Sequence, residues 1–281
     1  MARQKWVIGP TGEGLLVKIR EFWRYRRILW FLASRRIKAQ YQSTSLGVFW
    51  LFARPLLPII LSSIIFGSVL GVPSSGVPYF IFFLTGQSCW RVFERSVIWS
   101  SRSLEQNRGL IKKVYFPRLI VPVASVAPAL TEFAILLLLL LGACAYYFVR
   151  YGTFYLRFGF PILLAPLAIV FAVVLATAVG FWTSVLLVRH KDVQYSIRYF
   201  TQFWHYATPV LYPLSSVPEK YRIVAFLNPM TPFVELYKWS LLGIGEFPGL
   251  MLVSGLAVMA VIFVTGALFF NSSEATNVDR L

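Results

Sequence analysis

Long stretches of this chain carry no charge at all, and that constrains its fold more than any motif does. From Pro55 to Trp90 there is no Asp, Glu, Lys or Arg, and from Phe158 to Val188 there is none either. Leu119 to Val149 holds a single acid, Glu132. Each run is long enough to cross a bilayer, which takes about 20 apolar residues as a helix. Only 14% of the 281 residues are charged, against about 25% in an average soluble domain, and 58% are hydrophobic. The pattern predicts an all-α integral membrane protein.

The apolar runs and the turns between them place six transmembrane helices, at about 49–70, 78–99, 119–149, 158–188, 199–217 and 247–270. The interval 71–77 reads as a tight, uncharged turn. The third and fourth runs are 31 residues each, roughly 46 Å as straight helices against a hydrocarbon core of about 30 Å, so each must tilt, bend or protrude. Pro122 and Pro128 in one, and Pro161 and Pro166 in the other, are the predicted break points.

The net charge of +16 follows the same topology. Nineteen Lys and Arg lie in the N-terminus, 100–118, 189–198 and the C-terminus, against five in 71–77, 150–157 and 218–246. The positive-inside rule therefore puts both termini in the cytoplasm of a multi-pass protein of the cytoplasmic (inner) membrane. Cations confined to such gaps give no nucleic-acid surface. Residues 1–48 form a cytoplasmic basic N-terminus without a cleavable signal sequence. Within it Leu15, Leu16, Ile19, Phe22 and Trp23 recur at helical spacing opposite Lys18, Arg20, Glu21 and Arg24. That is an amphipathic interfacial helix suited to membrane lipid headgroups. The run Ile28–Ala33 is too short to span.

Catalytic chemistry has little to build on. There is no G-x-x-x-x-G-K-[ST] phosphate loop and no HExxH, CxxC or GxSxG. Cys89 and Cys144 sit inside apolar runs without metal spacing and read as packing residues. No catalytic residue and no metal site is expected, and any energy for uphill transport must come through a partner. The polar interval 100–118 is the candidate contact: Leu104, Ile111, Val114 and Tyr115 share one helical face, and Glu105, Arg108 and Lys112 line another. Glu105 lies at i+3 from Arg108, and Phe116-Pro117 ends the helix. Glu132, the intramembrane acid, would cost about 2.5–3.5 kcal/mol to bury charged, so a partner or protonation is expected, with pairing across helices favoured over substrate contact. Arg91, Glu94 and Arg95 are spaced as an ion-pair cluster. Phe49, Trp50 and Phe52 crowd the first span, and Tyr199, Phe203, Trp204 and Tyr206 the fifth. They read either as core and interfacial packing or as a channel wall offering ring faces to the C–H face of sugars.

Three blocks in order resemble type-2 ABC exporter permeases for cell-surface polysaccharides. They are RRIKAQYQSTSLGVFWLFARPLLP at 35–58, NRGLIKKVYFPRLIVPVAS at 107–125 and ATPVLYPLSSVPEKYRIVAFLNPMTPFVELYKWSLLG at 207–243. RHKDV at 189–193 resembles the family's short Arg-x-x-Asp loop. The resemblance covers nearly the whole chain from about residue 15. It implies a homodimer of six-span subunits paired with two copies of an ABC ATP-binding subunit that holds ATP and Mg, with no cofactor bound by this chain. It makes 100–118 the coupling helix, with Leu104, Glu105, Asn107, Arg108, Leu110, Ile111 and Lys112 at the ATPase. It makes 207–243 an external re-entrant region, and the first and fifth spans the channel lining. The implied cargo is a lipid-linked polysaccharide, O antigen first, with teichoic acid or capsule as alternatives. A drug or lipid exporter fits the 207–243 block less well, and a membrane-embedded enzyme would need clustered acids or a metal site.

Overall fold

The computed structural model describes residues 23–41, 47–114 and 116–273, and every regular element among them is helical. Leu15, Leu16, Ile19 and Phe22 of the expected amphipathic helix, and Tyr115, lie outside the described residues. Helix α1 is Arg26–Tyr41. Helix α2, Gly47–Ser62, continues as a π-helical segment, Ser63–Val69, and α3 is Tyr79–Ser101. Two single turns follow, α4 (Ser103–Gln106) and α5 (Arg108–Ile111), then α6 (Ile120–Ala124), α7 (Ala127–Tyr151) and α8 (Leu164–Arg189). The rest is α9 (Val193–Ala207), α10 (Glu219–Leu227), α11 (Thr231–Leu242) and α12 (Gly249–Ser272).

Among the described residues four segments are long and apolar enough to cross a membrane: Phe52–Val69, Ile120–Tyr151, Phe160–Arg189 and Gly249–Ser272. Two of the six expected spans differ from these. Helix α3 covers its expected range but carries Arg91, Glu94 and Arg95 in its second half. Helix α9 begins earlier than expected, has 15 residues and stops at Ala207. Its length of about 22 Å is less than the thickness of a bilayer core. Thr208 beyond it is extended, the chain then turns tightly about Pro209, where the Val210 N–H donates to Thr208 O at 2.7 Å, and a 3-10 turn follows at Leu214–Ser216. Pro209 and Pro213 explain the stop, since each removes an N–H and pushes the residue before it out of the helical region.

Prolines also break the third run, where α6 ends at Ala124 and α7 restarts with Pro128 in its first turn. In the fourth run Pro161 opens a 3-10 turn, Phe160–Leu163, whereas Pro166 falls in the first turn of α8, where no intrahelical N–H is needed. Gly152 closes α7 in the left-handed conformation (φ 70°), its N–H donating to Phe148 O at 2.8 Å.

Helix α8 is the hub, with α3 along one flank and α12 along another, while α7 packs on α3 and α11 on α8. Small buried residues allow this, since Ala165, Ala168, Ala172, Ala176 and Gly180 recur along α8. Closest approach is at Gly180, where an added Cβ would stand 2.1 Å from Ser100 Oγ and 2.5 Å from Ser100 Cβ. Gly180→Ala is therefore expected to destabilise the protein by about 1–3 kcal/mol. Ser100→Gly in the same chain should restore most of the loss, the signature of two coupled neighbours. Thermal melting in detergent checks both, and an unchanged G180A melt would refute the close contact.

Candidate functional site

Contacts between α3 and its neighbours define the two ends of the bundle. At one end Ser101 Oγ lies 2.6 Å from Thr183 Oγ1, and Arg102 Nη2 donates to Gln194 Oε1 at 3.4 Å. At the other, Tyr79 Oη donates to Leu211 O at 2.6 Å.

The first end has its own apolar core, separate from the main one. Leu32 of α1, Leu104, Ile111, Phe116 and Ile120, Phe181 and Val185 of α8, and Phe270 of α12 all belong to it. The segment 100–118 is not the single helix expected but two turns joined at Asn107, where φ is −107°. Asn107 Nδ2 donates to Ser103 O at 2.7 Å and holds that joint. The break lets both Leu104 (2% exposed) and Ile111 (8%) reach the same core. Leu110 is half-buried against it. Glu105, Arg108, Lys112 and Lys113 point outward, and the expected Glu105–Arg108 pair is not among the ion pairs of the described residues. Val114, placed by periodicity on the apolar face, is exposed. Helix α1 packs beneath through Leu32 and Ala33, while Trp30, Phe31, Arg35 and Lys38 face out. Arg36 lies 5.6 Å over the Trp99 ring; burial, with the nearby Arg35 charge, pulls its pKa down to about 10.

Aromatic side chains dominate α9 and the start of α2. Tyr195, Tyr199, Phe203 and Tyr206 are exposed at spacings that share one helical face. Trp204 turns the other way. Its ring meets Phe93 edge-on at 4.9 Å and Phe200 at 5.2 Å, and its Nε1 donates to Asn228 Oδ1 at 2.7 Å. Next to it His205 Nε2 is 2.8 Å from Gln87 Oε1. On α2, Phe49, Trp50 and Phe52 are all exposed, with Phe49 and Trp50 in an edge-on pair at 5.6 Å. Two helices with this much uncovered aromatic surface need lipid, another chain or a cargo against them.

Glu132 finds the partner expected of it: Arg95 Nε of α3 lies 3.1 Å from Glu132 Oε2, an electrostatic contact without hydrogen-bond alignment. Arg91 and Glu94 pair at 3.8 Å, as their spacing predicts. Lys238 is different. Charge counting places it in an external loop, yet it is 1% exposed, 3.6 Å from Glu235 Oε1 and 4.1 Å over the Phe82 ring. The available signal was Glu235 three residues earlier in an otherwise apolar helix.

Described residues whose regular elements are all helical, with four segments long and apolar enough to cross a membrane and a polar segment docked at one end on a core of its own, make a multi-pass membrane protein. Residues 27–242 match the family model of the ABC-2 type transporter, and the chain belongs to that family. Membership makes it a transport subunit rather than an enzyme, and one that pairs with an ABC ATP-binding subunit. The chain is 28% identical over 224 residues to an O-antigen export system permease protein of Myxococcus xanthus, covering 78% of this chain and 82% of that one. It is 25% identical over 248 residues to an O-antigen export system permease protein of Klebsiella pneumoniae, covering 87% and 91%.

Proposed function

We propose that this chain is the membrane-spanning subunit of an ATP-driven exporter that moves lipid-linked O antigen across the inner membrane. The similarity to O-antigen export permeases over most of both chains carries the reading. In it two copies form the channel, each engages one ATP-binding subunit that holds ATP and Mg, and both termini are cytoplasmic. The polar face at Glu105, Arg108 and Lys112 meets the ATPase, with Leu104, Asn107, Leu110 and Ile111 setting its shape. Helix α1 continues an interfacial helix at the channel entrance. Helix α3, and α9 together with the strap that follows it, complete six spans, and α10 and α11 are re-entrant on the external side. Neither α10 nor α11 is long enough to cross, at 9 and 12 residues. Their non-helical joints need protein or water around them, which a channel wall supplies. The exposed aromatics of α2 and α9 line the path, where a sliding polymer needs many weak contacts.

Isolating the complex from native membranes is expected to recover a stoichiometric ATP-binding subunit and O-antigen export in proteoliposomes. The chain purified alone is expected to hydrolyse no ATP. Turnover by the chain alone, free of contaminants, or export of an unrelated cargo only, would overturn this reading.

A further inference from the structure

The chain unwinds after α9, and its residues stay inside the protein. Thr208 and Val210 are fully buried, and Leu211 is 6% exposed. Buried carbonyls that leave a helix must find donors elsewhere, because no water reaches them. Here alternate carbonyls are each met by a side chain from a different element. Asn228 Nδ2, at the end of α10, donates to Ala207 O at 3.3 Å and to Thr208 Oγ1 at 2.8 Å. Lys238 Nζ, from α11, donates to Pro209 O. Tyr79 Oη, at the start of α3, donates to Leu211 O at 2.6 Å. Thr208 is extended (φ −101°, ψ 138°), and the Val210 N–H donates to Thr208 O at 2.7 Å, so the strap turns tightly about Pro209 and leaves these carbonyls to the side chains.

The surroundings are shaped for the lysine. A Cβ at Gly86 would stand 2.9 Å from Lys238 Cε and 3.2 Å from Val210 O, so glycine makes room for both stem and strap. Glu235 at 3.6 Å and the Phe82 ring at 4.1 Å face the ammonium group. Asn228 Oδ1 meanwhile accepts from Trp204 Nε1 and from the Met230 N–H, which ties the same clamp to the aromatic helix.

We infer that Tyr79, Asn228 and Lys238 are positioning residues that clamp the unwound strap 207–211 and thereby hold the aromatic face of α9 in register with α10 and α11. The link to transport rests on the channel reading above; the clamp itself does not. Movement of α10 or α11 would reach α9 through these bonds, since the strap has few other routes for its buried carbonyls.

The test uses the whole transporter in proteoliposomes, with hydrogen–deuterium exchange and polymer export measured on the same preparations. Lys238→Met keeps the apolar stem and removes the donor. It is expected to speed amide exchange in peptides covering 205–212 on the order of tenfold, as one lost buried hydrogen bond does. Exchange in α8 should stay at the parent rate, and export should slow by a similar factor. Tyr79→Phe, which removes one hydroxyl and is the fallback if K238M does not insert, is expected to do the same to a lesser degree. Unchanged strap exchange in either inserted variant would overturn the clamp. Faster strap exchange with normal export would overturn its positioning role, and equal loosening of α8 would reduce it to a general structural one. A parent complex that exports no polysaccharide would instead defeat the functional reading, while the exchange result still decides the clamp.

Discussion

Reversing both cations of the exposed turn, Arg108→Glu with Lys112→Glu, is expected to abolish coupling while leaving the protein folded in the membrane. Both side chains point away from the core, and neither has an ion pair or hydrogen bond among the described residues, so the fold loses nothing by the change. Exposed substitutions of this kind usually stay within about 0.5 kcal/mol. At a protein interface the arithmetic differs, because a like-charge contact costs several kcal/mol and each 1.4 kcal/mol is tenfold. ATP-driven export should therefore fall on the order of 100-fold, with the ATP-binding subunit retained poorly or not at all on co-purification. Leu104→Ala separates docking from packing. Leu104 is 2% exposed in the core beneath the turn, so its truncation should cost about 2–5 kcal/mol of stability and lower the melting temperature. Normal export and assembly in the double reversal would remove this turn from the coupling role.

How far the fold could be read from the chain follows the physics of each signal. The uncharged runs survive into helices because an apolar helix needs nothing but a bilayer, and Pro122, Pro128 and Pro161 lie where the runs break or begin. The fifth span reads as aromatic and proline-interrupted over 199–217, and the prolines at 209 and 213 do more than interrupt it: α9 ends at Ala207 and a buried, non-helical strap follows. The 100–118 interval was recognisable as polar and docked at an end. Its division at Asn107 was not, because one side-chain bond to Ser103 O and a shared core decide it. Lys238 defeated charge counting altogether. Composition sees a cation in a loop; only the fold brings Pro209, Glu235 and Phe82 around it. Glu132 shows the opposite case, since the cost of burial calls for a partner or protonation, and the fold supplies Arg95, which sequence could not choose.

Phe203 and Trp204 carry the second large expectation, because they are adjacent, similar in size and opposite in direction. Consecutive helical residues point about 100° apart. Phe203 is 73% exposed, whereas Trp204 packs edge-on against Phe93 and Phe200 and donates to Asn228. Trp204→Ala is expected to cost about 3–5 kcal/mol of stability, from the cavity and from the lost hydrogen bond to Asn228. Its export defect should track the amount of folded protein. Phe203→Ala should melt like the parent, yet slow export roughly threefold to tenfold, the equivalent of about 0.5–1.5 kcal/mol for one lost aromatic contact with cargo. Phe203→Tyr keeps the ring face and should export normally. Melting curves and single-transporter export rates distinguish the two positions directly. If F203A exports at the parent rate, the exposed face of α9 is lipid-facing or buried against another chain, and the path for cargo lies elsewhere. If F203A slows export while F203Y does not, the ring face itself touches what is moved.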